Sequence, residues 1–475
     1  MFKFMQSRLW IIPLILFVLN LVLKLLFITS NPIALDEPFT IFYAQPAFGK
    51  MLQIHLADNT PPLFDVLLFV WIKYFGIGPL SVRFLPCLFS SLTVIYVYLL
   101  GKKLGGVLCG LVSSLIFSFS SFHIYFAHEA RTYSLFALLS TASLFYYFCL
   151  EEKGTRFYFM LFVASNVLLT YTHYFGVFVI GGELVLSFLF LRQFPFTFRK
   201  IWLGFLIWLA FISPLFTFAL TRYHTVRKTG FWVSSPPWDA WYENIRKFSN
   251  EPMVAVGFLL VVVLGLGQLV WRKTYKNNPS LLFFPLFFFG IYFSLFFFSF
   301  FIPVFLDRYL IFLSIPFYLL VATAVTQLTD GTKANILLPV AACLSMIVTV
   351  NLKPGNQRDP IGLTAFIRSQ KDSATAVFIA PPWLDKGILY YFDLAVFRDE
   401  AHFDQNMQAG RWYRGYSVDD AIKTIPKGVH RLLYVTDDTK VLESNPPVPD
   451  VNLSNFRKKE TRRFGLTDGV IVFER

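Results

Sequence analysis

Two adjacent carboxylates, Asp36 and Glu37, stand in ALDEPFTIFYAQ directly after the first long apolar stretch of the chain. Acids at such a boundary are costly to desolvate, so a retained pair serves metal binding, general-base work or simple anchoring at an interface. A second cluster, His128, Glu129 and Arg131 in AHEARTY, sets an acid beside a histidine and a fixed cation. On the residues alone it suits an ion pair at a helix start or an acid with a role in the chemistry. Arg308 follows Asp307, opens an apolar run and has Tyr309 beside it. There, as at Arg131, a fixed cation can neutralise an anionic leaving group in a dry site. His173 and Tyr174 occupy a tight turn in THYFG, where ligand contact competes with membership of an interfacial aromatic belt. Asp58 precedes Pro61 and Pro62, and the double proline fixes an extended entry to a short helix. Trp232, Trp238 and Trp241 lie on a long loop, 221–252, where their rings can stack on a ligand or sit at headgroup level; its length suits a cover over a site.

Composition dictates what must hold these residues. Of 475 residues 56% are hydrophobic and only 15% charged, against about 25% in soluble domains, so lipid is the solvent for most of the chain. Apolar runs of helical length predict eleven transmembrane helices, at 9–29, 82–101, 105–125, 133–150, 157–172, 174–191, 201–220, 253–271, 281–303, 308–326 and 335–351. The stretch 61–76 contains Asp65 and Lys73 and reads as an interfacial or re-entrant helix. With the N-terminus inside and eleven spans, GKKLGG, EEKGTR, RQFPFTFRK, WRKTYK and TDGTK all become cytoplasmic loops, as the positive-inside rule demands. One further span would put GKK and WRK outside. The first stretch, preceded by Lys3 and Arg8 and lacking a small-residue cleavage site, reads as a retained anchor.

This topology carries the first loop (30–81), the HEAR region, the Thr172-His173 turn, the loop 221–252 and the Asp307-Arg308 junction to one extracytoplasmic face. The transmembrane domain is expected over 1–353, followed at 354–475 by a small soluble extracytoplasmic α/β domain with β-type runs at 374–380, 387–392, 431–436 and 469–474. Asp359 before Pro360 and the Ser417/Asp420 pair are helix-start signals. The formal charge of +13 sits in short loops beside apolar segments, which suits anionic headgroups; no basic stripe interleaved with aromatics supports nucleic acid as a partner. Cys87, Cys109, Cys149 and Cys343 match no disulfide or metal spacing and read as small core residues.

The order of these features is informative as a set. An acidic pair after the first span, a PPL motif before a short helix, Phe75-Gly76 through Arg83, the GKKLG turn and HEARTYSL together resemble the GT-C superfamily of lipid-linked-sugar glycosyltransferases. The resemblance is to bacterial members akin to protein O-mannosyltransferases and to the aminoarabinose transferase of lipid A. It covers about residues 30–180 and, more loosely, RYL at 308–310 and the terminal segment. It implies a polytopic α-helical membrane protein of GT-C type, and Asp36 as the catalytic base, supported by Glu37. Glu129 would be the second acid, although relatives commonly place an Asp slightly later, where this chain has Arg131 or Tyr133. Arg308 and Arg131 would meet the donor phosphate, with His128, Asp58, His173, Tyr309 and Trp232 as further substrate contacts. A divalent cation would be held by Asp36 and Glu129.

The implied activity is inverting transfer of a sugar from a polyprenyl-phosphate donor to a glycan, lipid or protein acceptor, outside the cytoplasm of a bacterial inner membrane. No glycine-rich nucleotide motif is visible, which fits a donor already carried by lipid. The rival readings are a flippase for lipid-linked sugars, which would show matched halves and acids at mid-membrane, and a non-catalytic assembly subunit.

Overall fold

In a computed structural model, residues 10–57, 60–191, 195–229, 233–276, 280–329, 336–426, 428–443 and 456–475 are described. The chain packs as two compact units. One comprises Met1–Ile28, Leu52–Leu67 and Arg83–Pro354; the other comprises Thr29–Met51, Leu68–Val82 and Gly355–Arg475.

The larger unit is helical throughout. Six helices among the described residues are long and apolar enough to cross a membrane: Pro79–Ser118, Tyr133–Lys153, Phe198–Phe216, Pro252–Trp271, Leu281–Phe298 and Asp307–Thr329. Three shorter apolar helices are Ile11–Leu25, Gly176–Leu189 and Leu337–Thr349. The chain is therefore an integral membrane protein. Length and composition thus single out fewer helices than the eleven expected spans, although helix occupies most of every expected window. The differences have local causes. Pro79–Ser118 holds two of the windows, parted where Gly106 takes φ 79. The halves then fold back so tightly that a Cβ on Gly110 would lie 2.7 Å from the Tyr98 carbonyl oxygen. Only glycine permits both the left-handed turn and that approach. Arg156–Thr172 is short and carries the buried polar residues Ser165, Asn166 and Thr170.

The helix Ile311–Thr329 lies at the centre, with fifteen of its residues buried. Gly265 lets the neighbouring helix approach until a Cβ there would meet that of Ala324. Phenylalanines fill the remaining space between helices in stacked and edge-to-face pairs, such as Phe148 with Phe284 at 5.6 Å and Phe148 with Phe283 at 4.8 Å. In lipid, with no hydrophobic force between helices, such packing and interhelical hydrogen bonds drive association. Asn250 supplies several of them, its Nδ2 donating to the carbonyls of Phe119 (3.0 Å) and Met346 (3.3 Å) and to Thr349 Oγ1 (3.4 Å) while its Oδ1 accepts from Ser121 N–H (2.8 Å). Glu183 is fully buried and accepts from Ser143 Oγ at 2.7 Å and Asn166 Nδ2 at 3.2 Å.

The second unit contains a five-stranded sheet of β1 (Thr375–Ala380), β2 (Trp412–Arg414), β3 (Arg431–Thr436), β4 (Arg457–Phe464) and β5 (Asp468–Glu474), in the order β2-β1-β3-β5-β4. β1 pairs in parallel with β2 and β3, whereas β5 is antiparallel to β3 and β4. Every residue of β1 is buried, as expected for a central strand covered on both faces. Edge strand β4 is mostly exposed and reads RKKETRRF, a charge pattern that blocks pairing with a further chain.

One expectation is overturned. GILYYF at 387–392 is not a strand but the end of the helix Leu384–Phe392. Its buried positions, Asp385, Lys386, Ile388, Leu389 and Tyr390, include the three- and four-residue spacings of a helix face rather than the alternation of a strand; a short apolar run fits either structure until its flanks are counted. The helix starts behave as their sequences predict. Asp359 accepts from Gly362 N–H at 2.9 Å, and Ser417 and Asp420 form a reciprocal capping box. Ser417→Ala removes one of its two bonds at a cost of about 1 kcal/mol. Amide exchange across Val418–Thr424 should then quicken by about fivefold, which hydrogen-exchange mass spectrometry would read; unchanged exchange would show that the box is idle.

Candidate active site

Within the larger unit the sequence-predicted residues gather around three helix ends. Helix Ser121–Ala127 starts where Ser120 Oγ accepts from His123 N–H, and His128 caps its end. The His128 ring is buried and its Nε2–H donates to the Lys24 carbonyl at 2.7 Å. Burial, reinforced by the charges of Lys24 and Arg83, outweighs that bond and lowers its pKa to about 4. His128 is thus a neutral ring committed to the protein. Glu129 is 8% exposed. The backbone then turns sharply, with Arg131 N–H on the Glu129 carbonyl at 2.7 Å, and enters helix Tyr133–Lys153.

Thr132 Oγ ties that turn to the end of the next helix pair by donating to the Thr172 carbonyl at 2.9 Å. Beside it His173 stacks on Phe136 at 4.6 Å and leans on Tyr309 at 5.2 Å. Its Nδ1 accepts from Phe175 N–H at 3.1 Å, which leaves the ring proton on Nε2. Burial first, then the charges of Arg131 and Arg308, lower its pKa to about 3. The two guanidinium groups therefore act on one buried, uncharged ring. The Arg308 guanidinium also lies 5.7 Å over the Tyr309 ring. Asp307 is engaged elsewhere, with Lys247 at 2.7 Å and Arg308 N–H at 2.7 Å. Such a corner, cationic and lined by rings, suits a phosphate: Arg offers forked donors and the neutral imidazole offers one more.

The assignment is testable by nitrogen NMR on histidine-labelled protein. His173 should show the neutral Nε2–H form from pH 8 down to pH 5. Protonation favours the unfolded chain, whose histidine has the higher pKa, so this term is fully stabilising above about pH 6.5 and is lost as pH falls toward 3. A His173 signal titrating near pH 6.5 would contradict the burial.

In the second unit Asp36 is half-buried and precedes helix Glu37–Tyr43, with Pro38 in the first turn; Glu37 is 2% exposed. Leu35 is held at φ 55, a conformation that costs a branched residue about 1 kcal/mol or more and persists only where neighbours over-determine it. Those neighbours are present. Tyr391 Oη accepts from Ile33 N–H at 2.5 Å, and Asn356 Nδ2 donates to the Pro32 carbonyl at 3.0 Å. Asp58 and Trp232 lie outside the described residues. Trp238 is exposed and packs on Phe300 at 4.7 Å. Among the described residues no group of three or more His, Cys, Asp or Glu side chains gathers as a metal site, so the expectation of a divalent cation on Asp36 and Glu129 gains no support.

Arg83, which closes the Phe75-Gly76 motif, is 1% exposed and donates to the Ile28 carbonyl at 2.9 Å. Sequence reasoning missed one charged position. Lys386, in the second unit, is buried beside Asp385 at 2.8 Å. Opposite charges inside an apolar run, LDKGILYYF, were the available signal.

The fold is that of an integral membrane protein of many apolar helices with a second, sheet-containing unit. Residues 59–218 match the family model of dolichyl-phosphate-mannose-protein mannosyltransferase, a stretch that holds His128, Glu129, Arg131 and His173 but neither Asp36 nor Arg308. In fold the chain is similar to ArnT from Cupriavidus metallidurans in the apo state, at TM-score 0.65 and 13% identity, covering 98% of each chain. The same ArnT bound to undecaprenyl phosphate matches at TM-score 0.61 and 14% identity, covering 97% of each. No curated protein matches in sequence. The resemblance to GT-C glycosyltransferases thus holds, by family model over one stretch and by fold over nearly the whole length.

Proposed function

We propose that this chain is a glycosyltransferase that moves a sugar from a polyprenyl-phosphate donor to a glycan, lipid or protein acceptor on the extracytoplasmic side of a bacterial inner membrane. The observation that carries the reading is the buried corner where His173 stacks on Phe136 at 4.6 Å and packs on Tyr309 at 5.2 Å, with the Arg308 guanidinium 5.7 Å over that same Tyr309 ring. Fixed cations with little water around them suit the phosphate that a lipid-linked donor presents. The family model and the similarity to an ArnT that binds undecaprenyl phosphate support the same donor class.

In the proposed step an acceptor hydroxyl oxygen attacks the anomeric carbon. The bond from that carbon to the phosphate oxygen breaks, and the leaving polyprenyl phosphate keeps the electron pair. The hydroxyl proton passes to the Asp36 carboxylate, with Glu37 in support. A single displacement inverts the anomeric configuration. Arg131 and Arg308 bind the phosphate and stabilise its growing charge. His173 donates from Nε2, while Tyr309 and the rings of Phe136 and Phe175 exclude water. Glu129 is the second acid.

The test compares surface glycolipids and glycoproteins by mass spectrometry in cells with and without the gene. A sugar residue present only with the gene, and of inverted configuration relative to its donor, is the expected result. Identical glycan profiles would remove the reading.

A further inference from the structure

The second unit contains a buried charge that the proposed reaction does not use. Lys386 lies 8% exposed on helix Leu384–Phe392, and its ammonium is 2.8 Å from the Asp385 carboxylate, itself fully buried. Arg414 donates to the same carboxylate at 2.7 Å and to Asp404 at 2.7 Å. The Lys386 ammonium also sits among four aromatic rings, Phe403 at 4.8 Å, Phe42 at 5.2 Å, Phe39 at 5.8 Å and Tyr43 at 5.9 Å. Ring faces attract a cation, and more strongly when water is excluded. Asp385 Oδ1 makes no hydrogen bond, so the carboxylate leans on its two cations alone.

Three of these rings belong to one short helix, Glu37–Tyr43. Positions 39, 42 and 43 share a helix face, and Asp36, which keeps helical φ and ψ, falls on that face one turn earlier. The two helices meet closely. A Cβ on Gly387 would lie 3.6 Å from Pro38 Cγ, and Phe42 packs edge-on against Phe397 at 5.4 Å and Phe403 at 4.7 Å. The segment leading into Asp36 is held by the same region through Tyr391, and the one after it by the ion pair of Lys50 with Glu400 at 2.7 Å.

We infer that Lys386 is a positioning residue for the acidic pair: its ammonium, fixed by Asp385 and caged by Phe39, Phe42 and Tyr43, sets the placement of the helix that begins at Asp36. A fully hydrophobic contact would bury these rings equally well but would let the short helix roll. A point charge over three faces, anchored to a buried carboxylate, favours one orientation. The inference rests on the proposed transferase reading only for its catalytic consequence, because the clamp itself is a property of the second unit.

The test uses Lys386→Met and Lys386→Arg in the full-length protein reconstituted in vesicles. A base displaced by about an ångström loses about 10²-fold in turnover. Lys386→Met should therefore lower kcat by that order with the donor KM within about twofold, whereas the cation of Lys386→Arg should restore most of kcat. Hydrogen exchange across Thr40–Ala44 should quicken in Lys386→Met while Val418–Thr424 stays unchanged. Should Lys386→Met not fold, Phe39→Leu, which removes one ring and no charge, must give the same kcat loss and local exchange in smaller degree. Unchanged exchange in the 40–44 segment, or equal impairment of the Arg and Met variants, would overturn the inference. Faster exchange in a protein whose wild type transfers no sugar would instead retain the clamp and sink the transferase reading.

Discussion

Asp36→Asn is expected to lower sugar transfer by about 10²–10⁴-fold, the range that a positioned general base contributes. The substitution keeps size and shape, and the helix start does not depend on the carboxylate, because the residue makes no side-chain cap and Pro38 fixes the first turn. Folding should be untouched and donor binding little changed, since the proton moves only as the acceptor attacks. The loss belongs to kcat, read as initial rate at saturating donor in reconstituted vesicles. Glu37→Gln separates the two acids. Glu37 is 2% exposed, and an uncompensated change there disturbs packing. A variant at Asp36 that turns over at the wild-type rate would strip that residue of its role and move attention to Glu129.

Arg308→Gln should cost about 10²–10³-fold in kcat/KM for the donor, the usual effect of removing one fixed donor from a developing oxyanion. Part of the loss falls on ground-state binding, because the phosphate is charged before the bond breaks. Arg308→Lys should recover only some of it, for an ammonium lacks the planar fork that meets two phosphate oxygens and stacks on a ring as Arg308 does on Tyr309. Neither variant should disturb the helix start, where the Arg308 backbone N–H holds Asp307 Oδ1. Measured donor affinity by quenching of intrinsic fluorescence, set beside kcat, separates binding from catalysis. Equal donor affinity and equal turnover in Arg308→Gln would place the phosphate elsewhere, with Arg131 the remaining candidate.

Much of this arrangement is legible in the residues. Apolar runs of helical length announce the membrane helices, and β-type runs at 374–380, 431–436 and 469–474 fall on β1, β3 and β5. Capping signals at Asp359 and Ser417 are local chemistry, so they survive folding unchanged. GILYYF misleads because tertiary packing decides the state of a six-residue apolar run: here Asp385 and Lys386, directly before it, turn inward. Length and hydropathy alone single out fewer helices than the expected spans for a related reason. The hairpin at Gly105-Gly106 and the polar face of Arg156–Thr172 are paid for by contacts that hydropathy does not see. For the site, the acids and arginines stand out as charges beside apolar runs. Their partners do not, since the Phe175 amide on His173 and the Lys24 carbonyl on His128 belong to backbone that any residue carries. Lys386 shows the limit most clearly, because nothing in its neighbourhood in sequence says that Phe39, Phe42 and Tyr43, more than three hundred residues away, will enclose it.

The most direct measurement is phosphorus NMR of a polyprenyl-phosphate sugar incubated in vesicles with the purified protein and an acceptor mixture. Transfer predicts conversion of the donor phosphodiester signal to that of polyprenyl monophosphate, one equivalent for each new glycosidic bond, with both lost in Asp36→Asn. Movement of intact donor between leaflets, with the phosphodiester signal unchanged while wild-type and Asp36→Asn protein behave alike, would contradict sugar transfer and favour a flippase.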